Sequence, residues 1–287
     1  MDTLEHHYVQ VNGIRMHYVR AGHGPKLVVL LHGFPECWYS WRHQIPALAE
    51  HYTVVAPDMR GYNETEKPRG GYEIRSLVQD IVELIGSLGF EKVLLVGHDW
   101  GGMVAWSLAI VRPDLLERLA VLNLPHPTLF MQAFRGNWQQ MKRSWYMAFF
   151  QLPWLPEASI RSNNYAMLER AMRGTAIEKS HFSDQDMHFF QQALARPGAL
   201  TAALNYYRAL PKGSQGFYKG TGMRVQVPTL LLWGENDTAL GKELTYGTER
   251  FVPDLRIQYV PDCGHFVHEE QPELVNRSLL DFFAEKA

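Results

Sequence analysis

Short apolar runs separated by polar turns set the pattern of roughly the first 125 residues. Residues 8–11 and 14–19 are β-rich and are joined by Asn12-Gly13, a two-residue hairpin signal. The run 27–31 is wholly apolar, as expected of a strand buried on both faces, and 53–56 is the next short strand. Leu77, Ile81, Leu84, Ile85 and Leu88 then recur at helical spacing, and Gly89 ends that helix. Residues 93–96 restore the strand pattern, a glycine-rich turn follows, and 103–111 reads as a helix stopped near Pro113. Residues 119–122 form a further strand. This alternation predicts a mostly parallel sheet covered by helices on both faces and opened by an antiparallel hairpin.

The texture changes near Pro125. From there to about Gly220 the strand pattern vanishes, and helical stretches rich in Trp, Met, Phe and Tyr take over, punctuated by Pro153, Pro156, Pro197 and Pro211. A buried strand returns at 227–233, another follows at 255–260, and an amphipathic last helix carries Leu274, Leu279, Leu280 and Phe283. One α/β domain is thus split by a helical insert, with core segments 1–126 and 221–287 around a cap at 127–220. The insert has ample apolar residues to pack, so it reads as a lid over the C-terminal edge of the sheet, where open α/β folds place their sites. No internal repeat or low-complexity segment interrupts this plan.

Composition narrows the partners. With 46% apolar and 20% charged residues in 287, the chain is an ordinary globular protein. A formal net charge of −2 leaves no footprint for nucleic acid or an anionic membrane, and a small uncharged molecule becomes the expected partner. Cys37 and Cys263, the two cysteines, make neither a disulfide framework nor a metal site, and they suit a reducing cytoplasm. The N-terminal stretch shows no signal peptide, and no apolar run approaches membrane-spanning length. The expectation is a soluble cytoplasmic protein without membrane insertion. Its oligomeric state is left open.

The strand at 93–96 runs into Gly97-His98-Asp99-Trp100-Gly101-Gly102 and then into a helix. Small residues flank Asp99 as they flank the serine of a nucleophile elbow, a turn so tight that larger neighbours would collide. Asp is also a common helix cap, so the turn alone leaves both readings open. His32-Gly33-Phe34-Pro35 directly follows the strand 27–31, and in this architecture that loop offers a backbone N–H to an oxyanion. Phe34 is the expected first donor and Trp100 the second.

A base and an acid should follow in the order nucleophile, acid, histidine. Of 13 histidines, His265 in Asp262-Cys263-Gly264-His265 follows the last strand, with His268 the runner-up at the start of the next helix, where it caps or packs. In Gly234-Glu235-Asn236-Asp237, Asp237 is favoured over Glu235 because it lies deeper in the loop. The position one strand earlier begins Asn123-Leu124-Pro125 and offers no carboxylate. His265, His268, Glu269 and Glu270 lack the spacing of a zinc-protease helix, and no dinucleotide or phosphate motif is present, so neither metal nor cofactor is expected. Cys263 is not on a tight turn and is read as a packing residue.

His32-Gly33-Phe34-Pro35-Glu36, Asp58-Met59-Arg60-Gly61-Tyr62, the Gly97–Gly102 turn, Trp233-Gly234-Glu235-Asn236-Asp237 and Gly264-His265-Phe266 together resemble the soluble α/β-hydrolase epoxide hydrolases. The resemblance spans essentially the whole chain and includes Leu124-Pro125-His126-Pro127 at the lid entrance. Asn63 stands where relatives often have Gly, and Asn tolerates a left-handed backbone better than most residues. The resemblance implies an α/β-hydrolase fold with a helical cap and two cap tyrosines that hydrogen-bond the oxirane oxygen. They match Tyr207, in Asn205-Tyr206-Tyr207-Arg208, and Tyr146, in Trp145-Tyr146-Met147, with Tyr206 and Tyr165 as the competing neighbours.

The chemistry of Asp points the same way. A serine attacking an epoxide carbon would leave an ether, whereas a carboxylate leaves an ester that water activated by His265 can hydrolyse. Alkyl halides also suit a carboxylate nucleophile, so a dehalogenase is the second reading. Related fluoroacetate enzymes carry Arg after the nucleophile and a His-Trp pair in the lid, where this chain has Trp100, Met147 and Ala148. A non-catalytic ligand receptor on the same fold is the third, and receptors of that kind generally keep a serine triad. Phe130, Phe134, Trp138, Met147, Phe149, Trp154 and Met167 suggest a hydrophobic pocket for a small apolar epoxide, although helical packing alone produces such a list.

Overall fold

Asn12 and Gly13 both adopt positive φ, 44° and 76°, and this turn pairs β1 (Glu5–Val11) with β2 (Ile14–Ala21) as an antiparallel hairpin. The remaining strands are β3 (Leu27–Leu31), β4 (Thr53–Pro57), β5 (Val93–His98), β6 (Leu116–Leu122), β7 (Thr229–Gly234) and β8 (Leu255–Val260). They form one sheet of order β1-β2-β4-β3-β5-β6-β7-β8. Only the pairings of β2 with β1 and with β4 are antiparallel. This computed structural model describes residues 4–211 and 216–285, leaving aside the side chains of Phe134 and Arg135.

Apolar cores lie on both faces of the sheet, which is why β3, β4, β5 and β7 are buried at every position. The helix Ile74–Ser87 buries Leu77, Ile81, Leu84 and Ile85 on one face, and Gly89 follows it at φ 77°. Several elements are longer than their apolar runs. β5 extends through Gly97 to His98, β6 starts at Leu116, and the helix expected from residue 103 begins at Trp100. Hydrophobicity alone misses these ends because glycine and partnered polar residues occupy them.

Register places the loops that matter. Gly97 of β5 pairs with Leu31 of β3, His98 pairs with Leu122 of β6, and Leu122 pairs with Leu232 of β7. The loops after β3, β5, β6 and β7 therefore leave the sheet side by side at its C-terminal edge, and the pairing of Gly234 with Val260 adds the loop after β8.

Between β6 and β7 the described chain is helical: Pro127–Gly136, Trp138–Arg143, Trp145–Phe149, Leu155–Ala171, Asp184–Ala195 and Ala199–Ala209. The fourth of these is broken at Ser162–Tyr165, where the backbone is extended at Ser162 and left-handed at the next three residues. Arg42 of the core bridges Asp186 of the insert at 3.0 Å and Glu269 at 2.6 Å, and the Tyr206 hydroxyl donates to the Arg60 carbonyl at 2.8 Å. Arg196 donates to Asn63, whose φ of 37° is the left-handed backbone expected there. Among the described residues no helix is long and apolar enough to cross a membrane.

Candidate active site

Asp99 sits between β5 and the helix Trp100–Val111 with φ 47° and ψ −118°, a conformation costly for any residue with a Cβ. Two positions of the surrounding turn, 97 and 101, have no room for a side chain. A Cβ on Gly97 would strike the Gly101 carbonyl, and one on Gly101 would reach the Leu31 carbonyl carbon at 2.5 Å. Gly33 is equally constrained, since a Cβ there would lie 2.7 Å from Asp99 Oδ1. These contacts push the Asp99 carboxylate out of the turn, against the loop after β3.

That loop supplies a donor. The Phe34 N–H donates to Asp99 Oδ1 at 2.8 Å. The loop is held from behind: the Gly33 N–H donates to Glu36, and His32 Nε2 accepts the Met59 N–H at 3.0 Å. Trp100, the second expected donor, follows Asp99 directly at the N-terminus of the helix, where backbone N–H groups are free of intrahelical partners.

The other carboxylate oxygen, Oδ2, faces His265 Nε2 at 3.7 Å, longer than a direct hydrogen bond. On the far side of the ring, His265 Nδ1 donates to Asp237 Oδ2 at 2.7 Å. Asp237 also accepts the N–H groups of Ala239 and Leu240 on Oδ1, at 2.7 and 2.9 Å, and the Asn123 amide on Oδ2 at 2.8 Å. Three loops thus place Asp99, His265 and Asp237 in one line. Glu235 instead pairs outward with Lys242.

The α/β-hydrolase fold family model matches residues 26–272. The chain is 42% identical to AB hydrolase superfamily protein YfhM of Bacillus subtilis (strain 168), over 98% of this chain and 99% of that one. It is 37% identical to Epoxide hydrolase 4 of Homo sapiens, over 98% of this chain and 79% of that one. The crystal structure of a Bacillus megaterium epoxide hydrolase in complex with an inhibitor superposes with a TM-score of 0.89 at 31% identity, covering 97% and 100% of the two chains. The chain belongs to the epoxide hydrolase family of the α/β-hydrolase fold.

In this hydrolase the carboxylate opens onto an apolar cavity of about 360 Å³ beneath the insert, lined among others by Phe34, Asp99, Tyr146, Phe150, Met167, Tyr207 and His265. A small void of about 20 Å³ beside Asp99 is lined among others by Trp100, Met103, Phe130, Met147 and Leu210, and a separate cavity of about 330 Å³ shares Trp100, Met103, Phe130 and Leu210 with it. Tyr146 and Tyr207 lie together on the insert side of Asp99, their rings 5.9 Å apart and nearly perpendicular. Tyr206 is fully buried with its hydroxyl committed to the Arg60 carbonyl, and Tyr165 is not among the residues lining the cavity. The Trp100 indole packs edge-on against Tyr207 at 5.2 Å.

The expected pocket lining needs correction. Met167 lines the cavity, and Phe130 and Met147 line the small void beside Asp99, but Trp138 and Trp154 point outward, 66% and 81% exposed. Composition could not separate the inner face of the insert from its outer face. Phe149 is half-buried against its core neighbours, and the side chain of Phe134 lies outside the described residues.

Burial opposes charging of His265, yet the charge of Asp237, its hydrogen bond and then Asp99 outweigh it and hold the imidazole well above its ordinary pKa. Burial works against Asp237 too, but His265 and the Leu240 and Asn123 donors keep its carboxyl below the usual range. Burial, followed by the charge of Asp99, raises both Tyr146 and Tyr207, so both keep their protons as donors. Burial likewise raises the Cys263 thiol, in line with a packing role.

Two features were not visible in sequence. Asn123, at φ 45°, occupies the position that lacked a carboxylate and orients Asp237 instead, while its Oδ1 accepts the Gly234 N–H at 3.1 Å. The only trace of it in the sequence is an Asn directly after a strand, a residue that tolerates positive φ. Behind the site, Glu36, His98 and His268 are buried together, and they are the one group among the described residues with the spacing of metal ligands. Their atoms hydrogen-bond one another, with Glu36 taking His98 at 2.8 Å and His268 at 3.0 Å, and His98 Nε2 donates to the His265 carbonyl at 2.9 Å. His268 packs here, as expected of the runner-up.

Proposed function

We propose that the hydrolase opens a small apolar epoxide to a vicinal diol through an ester on Asp99. One observation carries the reading: a single carboxylate has one oxygen held by a backbone N–H, the other facing a histidine, and two tyrosines across an apolar cavity. In the first step Asp99 Oδ2 attacks an oxirane carbon, the C–O bond breaks, and the alkoxide takes a proton from Tyr146 or Tyr207. In the second, His265 takes a proton from water and the hydroxide adds to Asp99 Cγ. Charge then collects on Oδ1, where the N–H groups of Phe34 and Trp100 stabilise it. Collapse expels the second alkoxide, which is protonated by His265, and the proton left on Asp99 restores the tyrosine.

The site orders these steps. Asp99 is one of the groups that hold the His265 pKa up, and alkylation removes that carboxylate charge, so the pKa falls and the ring can release its proton to solvent and enter the second step neutral, able to accept one from water. Asp237, fixed by Asn123 and two backbone N–H groups, holds the ring with Nε2 toward the ester. The segment 127–220 serves as the cap that carries both tyrosines and keeps bulk water from the alkoxide. Two unlinked, buried thiols suit a cytoplasmic setting.

A carbon–halogen bond is the other target of such a carboxylate, but a departing halide needs no proton. The paired hydroxyls of Tyr146 and Tyr207 therefore favour the epoxide, and chloride release from alkyl chlorides is expected to be absent or slow. Single turnover in 18O-labelled water tests the covalent route. One label is expected in the Asp99 side chain and none in the first-turnover diol. Label entering the diol directly would mean that water, not Asp99, attacks the ring.

The tyrosines give a second test. Tyr207→Phe and Tyr146→Phe are each expected to slow ester formation about 10- to 100-fold, the loss of about one hydrogen bond to a developing alkoxide. The double variant should lose nearly all alkylation while retaining the fold. Stopped-flow fluorescence of the tryptophans reports the step, and an unchanged rate in the double variant would remove both residues from it.

A further inference from the structure

We infer that the outer face of the cap docks on an anionic phospholipid surface. Five of the eight tryptophans are buried, and the other three, Trp138, Trp145 and Trp154, are all exposed within one short stretch of the insert. Trp138 and Met141 lie three residues apart on one helix and share a face, Trp145 opens the next helix and is likewise exposed, and Lys142 lies over the Trp138 ring at 5.7 Å.

The face is inverted relative to an ordinary amphipathic helix. Its buried side carries the polar Gln140 and Ser144, and its solvent side carries the large apolar groups. Gln140 is fully committed: it donates to Ser144 and the Ala239 carbonyl and accepts the Gly241 N–H at 3.1 Å. This network fixes the helix with its apolar residues outward, so their exposure is built into the fold. Exposed apolar clusters of this kind mark interaction surfaces.

Charge selects the occupant. Arg135, Lys142 and Arg143 are the only charged residues from 127 to 156, in a chain whose net charge is −2. The one acidic contact to them among the described side chains is Glu243, 3.4 Å from Arg143. Tryptophan beside Lys and Arg, with no acid in the same stretch of chain, is the composition that settles at a bilayer's headgroup level. The near-neutral total charge hides this local excess. Arg143 and Trp145 also line the catalytic cavity, so a docked cap would hold the cavity rim at the level where apolar molecules partition.

Co-sedimentation with phosphatidylcholine vesicles, with and without phosphatidylglycerol, tests the inference on the whole chain. Partition onto the anionic vesicles is expected to exceed that onto the neutral ones at least tenfold and to weaken with added salt. Brominated acyl chains should quench part of the tryptophan fluorescence. Trp138→Ser and Lys142→Glu, both at exposed positions, should each lower partition about tenfold with melting temperature unchanged, and Trp138→Ser should also reduce the quenching. Equal partition onto both vesicles, binding that survives in both variants, or no binding would overturn it. So would lipid-free self-association lost in the same variants, which would make the occupant a second copy. Binding is the readout, so the outcome is independent of what Asp99 attacks.

Discussion

Replacing Asp99 with Asn is expected to lower steady-state epoxide turnover by at least about ten-thousandfold, because a carboxamide cannot form the ester that the second step hydrolyses. The substitution keeps the shape of the group. The Asn amide oxygen can still accept the Phe34 N–H, and Asn tolerates positive φ better than most residues. The fold should therefore be preserved, and the melting temperature is the control. The same variant reports on the histidine. Asp99 is one of the groups holding His265 well above its ordinary pKa, so removing its charge should lower the His265 pKa, while Asp237 continues to support the ring. Titration of the imidazole by NMR in the two proteins measures the difference. An Asn variant retaining more than about a thousandth of wild-type turnover would mean that another group attacks the substrate.

The alternation of short apolar runs made the sheet and the insert legible, because buried parallel strands have few ways to be written. The elbow was legible for a steric reason: Gly97 and Gly101 lie so close to backbone that their identity is forced. His265 and Asp237 followed from their places after β8 and β7, and register brings both loops to the same edge. Asn123 was read only as a missing acid, since a hydrogen bond between two loops leaves no periodic trace. The cap was the least legible part. Its inner and outer faces share one composition, and only buried Gln140 and exposed Trp138 show which way the helix faces. A buried polar residue partnered across a loop reversed the usual hydrophobic rule there.

Replacing His265 with Gln should separate the two chemical steps. Ester formation uses Asp99, the tyrosines and the cavity, all of which remain, whereas hydrolysis needs a group that takes a proton from water beside Asp99 Cγ. His265 Nε2 stands 3.7 Å from Oδ2, the position for that task, and a Gln amide cannot accept the proton. The variant should consume one equivalent of epoxide rapidly and then stop. Intact-protein mass should rise by the mass of the epoxide, with the adduct mapping to the peptide that holds Asp99. Steady-state turnover should fall at least about a thousandfold while the alkylation rate stays within about tenfold of wild type. Each failure has its own meaning. Normal turnover would assign the base elsewhere. Loss of turnover without an adduct would place His265 in the first step, where its charge would be assisting the attack. Trapping of the adduct fixes the order: His265 acts after Asp99, on an ester whose carbonyl oxygen is already held by the Phe34 N–H.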